Sequence, residues 1–261
     1  MPPLSIIEAR ASFRGGRGYL AACTLGLPTT GTVSALRADL DTWAGGSASA
    51  SGYGTVVERV RAAYARFVSV PVGRVAIGSQ ASVLAELVAA SVPDGAEVLC
   101  VDGDFSSMVF PFLNQAHRGV TVRHVPLSDL AAAITDTTWL VAFSLVQSAT
   151  GAVADAVAIA QAARVHDCFT LCDTTQATGW MPVDAGDFDA TICHAYKWLC
   201  APRGVAFLTV AERFGALIRP VQAGWYAGHD PWASCYGPGM LLAADARRFD
   251  VSPASYQHFA A

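Results

Sequence analysis

DATICHAYKWLCAPRGVAFLTV, residues Asp189–Val210, is the stretch of sequence on which our expectation of the fold rests. An apolar run, Ala190–Cys193, ends in polar residues, and after Pro-Arg-Gly a second apolar run follows at Val205–Val210. Nearly continuous apolar runs of this length are typical of strands buried in a sheet. The connection between them carries Lys197, the only lysine in the chain. The sequence therefore predicts that the side-chain amine of Lys197 lies just beyond the end of a buried strand.

A lysine in this position suits carbonyl chemistry. Burial or nearby charge can leave its amine unprotonated, and a neutral amine condenses with an aldehyde, which arginine cannot do. The ordinary alternative is a solvated lysine on a loop between strands, because lysine is rarely buried. The aromatic neighbours Tyr196 and Trp198 favour a packed environment over that alternative.

Outward from this stretch, apolar runs alternate with alanine-rich segments of helical periodicity. This alternation predicts an α/β fold, in which helices cover a mostly parallel sheet. The other predicted strands are Arg74–Ile77, Glu97–Val101, Thr121–Val125, Trp139–Ser144 and Phe169–Asp173. The predicted helices are Gly52–Phe67, Ser82–Val92 and Val153–Val165. The Gly- and Ser-rich stretch Gly45–Gly54 reads as a mobile loop.

Composition excludes several classes of protein. The 261 residues carry a formal net charge of -4 without a basic block, so we expect no nucleic-acid partner. No apolar run reaches the roughly 18 residues of a membrane-spanning helix, and Met1–Arg17 does not resemble a secretory signal, so we expect a cytoplasmic protein without a membrane segment. The seven cysteines form no CxxC pair, which indicates reduced, mostly packed thiols and no metal site.

A second polar constellation ends the strand Phe169–Asp173, in FTLCDTTQ. Ligands of α/β proteins bind at the carboxyl ends of strands, so Asp173 and Gln176 are candidate binding residues. A carboxylate there can pair with the protonated nitrogen of a pyridine ring, and an amide can donate to a ring oxygen. The alternative for Asp173 is that its side chain only caps a turn or helix.

A third constellation, GSQAS, joins the strand Arg74–Ile77 to the next helix. Backbone N–H groups at the start of a helix, helped by Ser79, Gln80 and Ser82, form a site for a phosphate. An ordinary N-cap is the alternative. Neither GxGxxG nor GxxxxGK[ST] occurs, which counts against a dinucleotide or nucleoside triphosphate.

Taken in order, these segments resemble the class V enzymes that use pyridoxal 5'-phosphate (PLP), a group containing cysteine desulfurases, kynureninases and isopenicillin N epimerase-like proteins. CHAYKWLCAPRGVAFL is similar to their lysine motif, CDTTQ to their D-x-x-Q motif and AIGSQAS to their phosphate-binding turn. The resemblance is strongest to the kynureninase and epimerase-like subgroup. It implies a three-layer α/β/α sandwich with a mostly parallel mixed sheet, and PLP held as a Schiff base on Lys197.

The resemblance also implies roles for residues outside those motifs. Phe105 would stack on the cofactor ring, although a core phenylalanine is the alternative. His194 and Tyr196 occupy positions that imply contacts to the phosphate. Trp225 belongs to GWYAGH, which is similar to a GW-x-GH stretch of the kynureninase-like subgroup. Ser252, in RRFDVSP, would contact the phosphate of a neighbouring subunit.

At the level of domains, the resemblance implies three parts. Residues 1–30 would form an N-terminal segment at the active-site edge, in which YLAACTLGLP approaches the substrate, and residues 31–250 the PLP-binding large domain. Residues 251–261 would begin a C-terminal domain most of which this chain lacks, since family members normally continue for roughly another hundred residues, the length of a domain. A desulfurase would also need a mobile cysteine, and Cys235, the only one we expect in an exposed loop, does not match that position.

The leading functional hypothesis is a homodimeric PLP-dependent enzyme with its active site at the subunit interface. It would act on an amino acid or a derivative through an aldimine at Lys197, and the sequence leaves transamination, epimerisation and C–S or C–C lyase chemistry open. One alternative is a PLP-binding or interaction subunit with impaired catalysis. Another is an NAD-type Rossmann oxidoreductase, against which the missing glycine fingerprint counts.

Overall fold

A seven-stranded sheet forms the centre of the part of the chain that the computed structural model describes, residues 5–237, 239–252 and 258–259. Its strands are β1 (Val75–Gly78), β2 (Glu97–Val101), β3 (Thr121–Val125), β4 (Thr138–Ser144), β5 (Phe169–Asp173), β6 (Ala190–His194) and β7 (Ala206–Val210). The strand order is β1-β7-β6-β5-β4-β2-β3. The last strand in the sequence is thus inserted between the first strand and the middle of the sheet.

The sheet is mixed but mostly parallel. Strands β3, β2, β4, β5 and β6 pair in parallel, whereas β7 runs antiparallel to both β1 and β6. The predicted α/β fold with a mostly parallel mixed sheet is therefore confirmed. Each predicted strand is present, with its bounds displaced by at most one residue at either end.

Helices surround the sheet. The α-helices of the described residues are α1 (Ile6–Ala11), α2 (Thr30–Ala44), α3 (Ala50–Phe67), α4 (Ala81–Ala89), α5 (Ser106–Leu113), α6 (Leu130–Ala133), α7 (Ala156–Val165) and α8 (Glu212–Gly215). Short 3-10 helices occupy Val72–Arg74, Asn114–Arg118, Leu127–Asp129, Ala185–Asp187, Trp225–Ala227 and Ala246–Phe249.

The side chains of the strands alternate between two apolar layers, as the two-residue period of a strand requires. Val98 of β2 belongs to a buried cluster with Leu84 and Leu87 of α4. Leu99, the next residue, belongs to a second cluster with Ile159 of α7. Helices thus cover both faces, which gives the three-layer sandwich expected from the sequence.

The prediction of a mobile loop at Gly45–Gly54 is wrong for its second half. Helix α3 begins at Ala50 because the Ser49 side chain accepts a hydrogen bond from the Gly52 N–H at 3.0 Å. A serine N-cap stabilises a helix start by about 1 kcal/mol, which offsets the two glycines of the first turns. A similar cap corrects the helix predicted at Val153–Val165, since Asp155 accepts from the Ala158 N–H and the helix begins at Ala156.

A buried ion pair fixes the segment that follows the last strand. Arg61 of α3 and Asp250 are both almost fully buried, and Arg61 Nη2 lies 2.5 Å from Asp250 Oδ2. The other carboxylate oxygen accepts the Ile77 N–H of β1 at 2.8 Å. These contacts join residues 246–250 to the edge of the sheet.

The predicted division at residues 30 and 250 stays a prediction. Of the proposed C-terminal part, 251–261, residues 253–257 and 260–261 lie outside the described residues. Across the described ranges, no helix combines the length and the apolar character needed to cross a membrane.

Candidate active site

A cavity of about 420 Å³ opens at the carboxyl ends of β5 and β6. This is the edge at which α/β sheets bind ligands. The cavity brings together most of the residues singled out from the sequence, namely Gln80, Ser82, Phe105, Asp173, Gln176, His194, Tyr196 and Lys197. Ser79, Trp225 and Ser252 are not among the residues that line it.

Lys197 is buried, with 6 % of its surface exposed, which decides against the solvated-loop alternative. Its Nζ lies 5.6 Å from the ring centre of Phe105 and 5.7 Å from that of Tyr196. Burial lowers the pKa of the Lys197 amine, and the carboxylate of Asp173 opposes that shift. The neutral amine that carbonyl chemistry requires is therefore favoured relative to an exposed lysine.

Asp173 ends β5 and is 5 % exposed. Its Oδ1 accepts a hydrogen bond from the Thr175 N–H at 2.8 Å. Burial raises the pKa of the carboxyl group, while this hydrogen bond and the charge of Lys197 favour the ionised form. A cation placed against Asp173 would be drawn to the only carboxylate among the residues lining the cavity.

Phe105 presents its ring to the cavity and is 46 % exposed, so it is not a core residue. Asp104 fixes this corner, since its Oδ1 accepts from the Phe105 N–H at 2.7 Å and from the Ser144 hydroxyl at 2.6 Å. The Ser144 N–H donates to the other oxygen at 2.8 Å. Asp104 therefore holds Phe105 against the end of β4.

Donor groups gather where α4 meets the cavity. The N-cap residue is Gln80, whose side chain makes no capping hydrogen bond, so serine capping does not explain this helix start. His194 contributes an Nε2 atom that is buried without a hydrogen-bond partner among the described residues. Burial, followed by the charge of Arg203, lowers the pKa of His194 to about 4. A helix start of this kind is suited to an anion.

Gln176 lines the cavity, but its amide group is engaged elsewhere. Its Nε2 donates to the Cys23 carbonyl at 3.0 Å and to the Ser148 hydroxyl at 3.1 Å. Its Oε1 accepts from the Trp198 indole at 3.1 Å. Gln176 thus joins three segments, and donation to a ligand's ring oxygen would replace one of these bonds.

The N-terminal segment lies against the lysine loop. The Gly26 N–H donates to the Tyr196 carbonyl at 2.8 Å, and a Cβ atom on Gly26 would lie 1.9 Å from the Lys197 carbonyl oxygen. Only glycine allows this close approach. Cys23 in the same segment is exposed, whereas Cys235 is only partly exposed, so our expectation that Cys235 is the one exposed cysteine is wrong.

Trp225 and Ser252, like Ser79, lie outside the cavity lining. Trp225 packs against Tyr226 and Trp232, with ring centres 5.1 Å and 5.3 Å away. Ser252 is described, but Pro253, the last residue of its motif, lies outside the described residues. Contacts of Ser252 across a dimer stay a prediction.

Sequence reasoning missed Arg203, Asp104 and Ser148. Arg203 lines the cavity although it belongs to the very APRG stretch that we quoted. The sequence could have indicated Arg203, because the loop that carries Lys197 continues through Arg203 to β7 at the same carboxyl end of β6. Asp104 gave no signal, because its role depends on a hydrogen bond to β4, 40 residues away.

Comparison with known families gives one match that covers most of the chain. The family model described as aminotransferase class-V matches residues 46–229. This match decides against the Rossmann oxidoreductase alternative, as does the sheet order, which differs from the 3-2-1-4-5-6 order of that fold.

Curated relatives include an isopenicillin N epimerase and a kynureninase. The epimerase of Amycolatopsis lactamdurans is 33% identical over 58% of this chain and 43% of its own length. The kynureninase of Deinococcus radiodurans is 31% identical over 80% of this chain and 52% of its own length. The chain thus spans about half the length of these relatives.

Solved structures share the fold at lower identity. The cysteine desulfurase CsdA of Escherichia coli superposes with a TM-score of 0.83 at 17% identity, over 99% of this chain and 70% of that one. The cystine C-S lyase C-DES, in complex with its product cysteine persulfide, gives a TM-score of 0.82 at 22% identity, over 94% of this chain and 71% of that one. These likenesses agree with the fold built from the strands and helices above.

Proposed function

The chain belongs to the aminotransferase class-V family, whose members are PLP-dependent enzymes, and on that basis we propose that it binds PLP at Lys197 and acts on an amino-acid substrate. The observation that carries the proposal is the pairing, in one cavity, of a buried lysine with a buried aspartate at the end of β5. A solvated lysine would not explain the burial of Lys197. Asp173 does cap a turn through the Thr175 N–H, but capping alone would not explain why it lies buried in the same cavity as Lys197.

The residues of the cavity fit the parts of PLP. Lys197 is the amine for its aldehyde, and Asp173 is the carboxylate for its ring nitrogen. Phe105 offers an exposed aromatic face for offset stacking. The start of α4 offers donors for its phosphate. Carboxylate, amine, aromatic face and anion site therefore lie together, as this cofactor requires.

PLP supplies an electron sink for the bonds around the α-carbon of an amino acid. Asp173 would hold the positive charge of the ring nitrogen, because its burial makes an unpaired carboxylate costly. Lys197 would take the proton from the substrate's α-carbon and return it, a task for which its lowered pKa suits it. Phe105 and Tyr196, both near Nζ, would restrict water around that amine.

The substrate we propose is an amino acid or a close derivative. The relatives are an epimerase of isopenicillin N and a kynureninase, and C-DES is a cystine lyase. Epimerisation, transamination and C–S or C–C cleavage share the proton transfer that we assign to Lys197. The proposal therefore covers that shared step and leaves the branch after it open.

A homodimer is the assembly that we propose for this function. Large apolar side chains stand exposed on the described surface, among them Trp43, Phe110 and Trp180. Apolar side chains of this size mark an interaction surface where they lie together in one patch.

The function is tested by adding PLP to the purified protein and recording its visible absorbance. We expect the wild-type protein to take up PLP and Lys197→Ala to lose the covalent attachment, because the chain has no other lysine. Borohydride reduction followed by peptide mass spectrometry should place the pyridoxyl group on Lys197. A wild-type protein that stays colourless, or a label on another residue, would contradict the proposal.

A panel of amino acids then separates an enzyme from a PLP-binding subunit with impaired catalysis. An active enzyme gives a spectral change with its substrate and exchanges the α-proton with deuterated solvent. A subunit without catalysis gives the PLP absorbance and no exchange with any member of the panel.

A further inference from the structure

Arg203 presents an unpaired positive charge to the cavity. Its guanidinium carbon lies 4.4 Å from the ring centre of Tyr196, so the flat group stacks on that ring. Other arginines of the chain, such as Arg61, Arg118 and Arg213, have carboxylate partners. Among the described residues, Arg203 has neither a carboxylate partner nor a hydrogen bond, so its donors are free for a ligand.

The surroundings of Arg203 favour an anion. The N-cap residue Gln80 and the first two residues of α4, Ala81 and Ser82, line the same cavity, and no side chain caps the helix. The buried Nε2 of His194 is a second polar group without a hydrogen-bond partner in the described part of the chain. A buried polar atom without a partner is costly, so a ligand that bonds it would be stabilised.

The charge of Arg203 also acts on the bases of the cavity. It lowers the pKa of both His194 and Lys197, in each case after the larger effect of burial. An anion bound beside Arg203 would offset this repulsion. The part of the cavity around Arg203 therefore carries positive charge that an anionic ligand would neutralise.

We propose that Arg203 binds the phosphate of the cofactor, with the start of α4 and the Nε2 of His194 completing the site. The inference rests on the function proposed above and adds to it a binding role for Arg203, which the sequence does not single out. A guanidinium suits this task because its planar donors bind two phosphate oxygens at once. Tyr196 serves as the platform that orients the group.

Affinities for PLP and for pyridoxal, which lacks the phosphate, test the inference directly. We expect Arg203→Met to weaken PLP binding about tenfold or more, the effect of losing a charge-assisted hydrogen bond, and to leave pyridoxal binding unchanged. Arg203→Lys keeps the charge but not the paired donors, so its loss of PLP affinity should be smaller. The matched control is Arg59→Met, since Arg59 is exposed on α3, away from the cavity lining.

Inorganic phosphate provides a second readout that needs neither PLP nor activity. With labelled histidine, NMR titration should show phosphate raising the pKa of His194 in the wild-type protein. The rise should be smaller in Arg203→Met, because phosphate binds that variant more weakly.

Each outcome decides one point. An unchanged ratio of PLP to pyridoxal affinity in Arg203→Met overturns the inference and leaves the proposed function intact. If that affinity ratio is unchanged and the PLP-loaded variant also binds amino acids more weakly, Arg203 is assigned to the substrate carboxylate instead. This result overturns the inference as well. A wild-type protein that binds neither PLP nor pyridoxal overturns the proposed function together with the inference.

Discussion

At the scale of single residues, burial sets the charge of the groups in the cavity. The imidazole of His194 and the amine of Lys197 are both pushed toward their neutral forms, and neighbouring charges modify the result. A neutral base can accept a proton, and a neutral imidazole can donate one hydrogen bond without adding positive charge beside Arg203. Because of these pKa shifts, the free energy of unfolding should depend on pH.

Lowering the pH should destabilise the protein partly through His194. Its pKa falls from 6.5 to about 4 on folding, so the unfolded chain takes up a proton in that range while the folded chain does not. The free energy of unfolding should therefore fall as the pH decreases from 6.5 toward 4. Urea unfolding at about pH 7 and about pH 5 should show a smaller loss in His194→Gln than in the wild-type protein. His117→Gln, at an exposed histidine, is the control and should keep the wild-type loss.

An equal loss in His194→Gln and the wild-type protein would contradict this assignment. It would mean that His194 has the same pKa in the folded and unfolded chains. The pH dependence would then have to arise from other groups.

Some site residues could be predicted from the sequence and others could not. Lys197 and Asp173 could, because each ends a recognisable apolar strand and parallel strands bring their carboxyl ends together. The hydrogen bonds of Gln176 could not, because its partners Cys23 and Ser148 come from segments whose positions depend on the finished fold. Residue type and strand position therefore indicated the chemistry, whereas the detailed geometry required the tertiary structure.

At the scale of elements, the contact between α3, β1 and the Ala246–Phe249 turn centres on the buried Arg61–Asp250 ion pair, beside a more exposed pair between Glu58 and Arg247. Arg61 donates to Asp250, to the Val75 carbonyl and to Glu58, while Asp250 also accepts the Ile77 N–H. Both charges are out of contact with water, so each needs the other. This pair anchors the segment that carries the RRFD residues of the family resemblance.

Breaking this ion pair should destabilise the protein strongly. Asp250→Asn leaves the buried Arg61 with only the half-exposed Glu58 as a counter-charge, and we expect a loss of about 3 kcal/mol or more in the free energy of unfolding. Asp94→Asn breaks the Asp94–Arg118 pair, in which Asp94 is 77% exposed, and should cost about 1 kcal/mol or less. Urea unfolding of the two variants measures both values. Equal losses would show that burial does not set the strength of the Arg61–Asp250 pair.

Element bounds were predictable where an apolar pattern was strong and not where a single cap decided them. The sequence predicts the strand Phe169–Asp173 with its observed bounds, because Asp167 precedes the apolar run and Asp173 and Thr174 end it. The start of α3 was missed, because a Gly- and Ser-rich stretch favours a loop unless Ser49 caps it. The antiparallel direction of β7 was likewise not apparent, since an apolar run carries no sign of its direction.

At the scale of the whole molecule, the proposed homodimer predicts a mass in solution. Light scattering after size-exclusion chromatography should give twice the chain mass of 27.2 kDa for the PLP-loaded protein. If the cofactor site lies at the interface, PLP should also shift dissociation of the dimer to lower protein concentration, because binding stabilises the assembled state. A PLP-loaded protein with the mass of a single chain would contradict the homodimer.

The insertion of β7 between β1 and β6 governs the order in which this protein can fold. Strand β1 has no partner in the sheet until β7, formed by residues far along the chain, pairs with it. The bond from Gln176 to Cys23 spans 153 residues, so closing it carries a large loop entropy. Folding is therefore dominated by non-local contacts and should be slow. During synthesis we therefore expect β1 to stay unpaired until β7 has been made, and the cavity around Lys197 to form late.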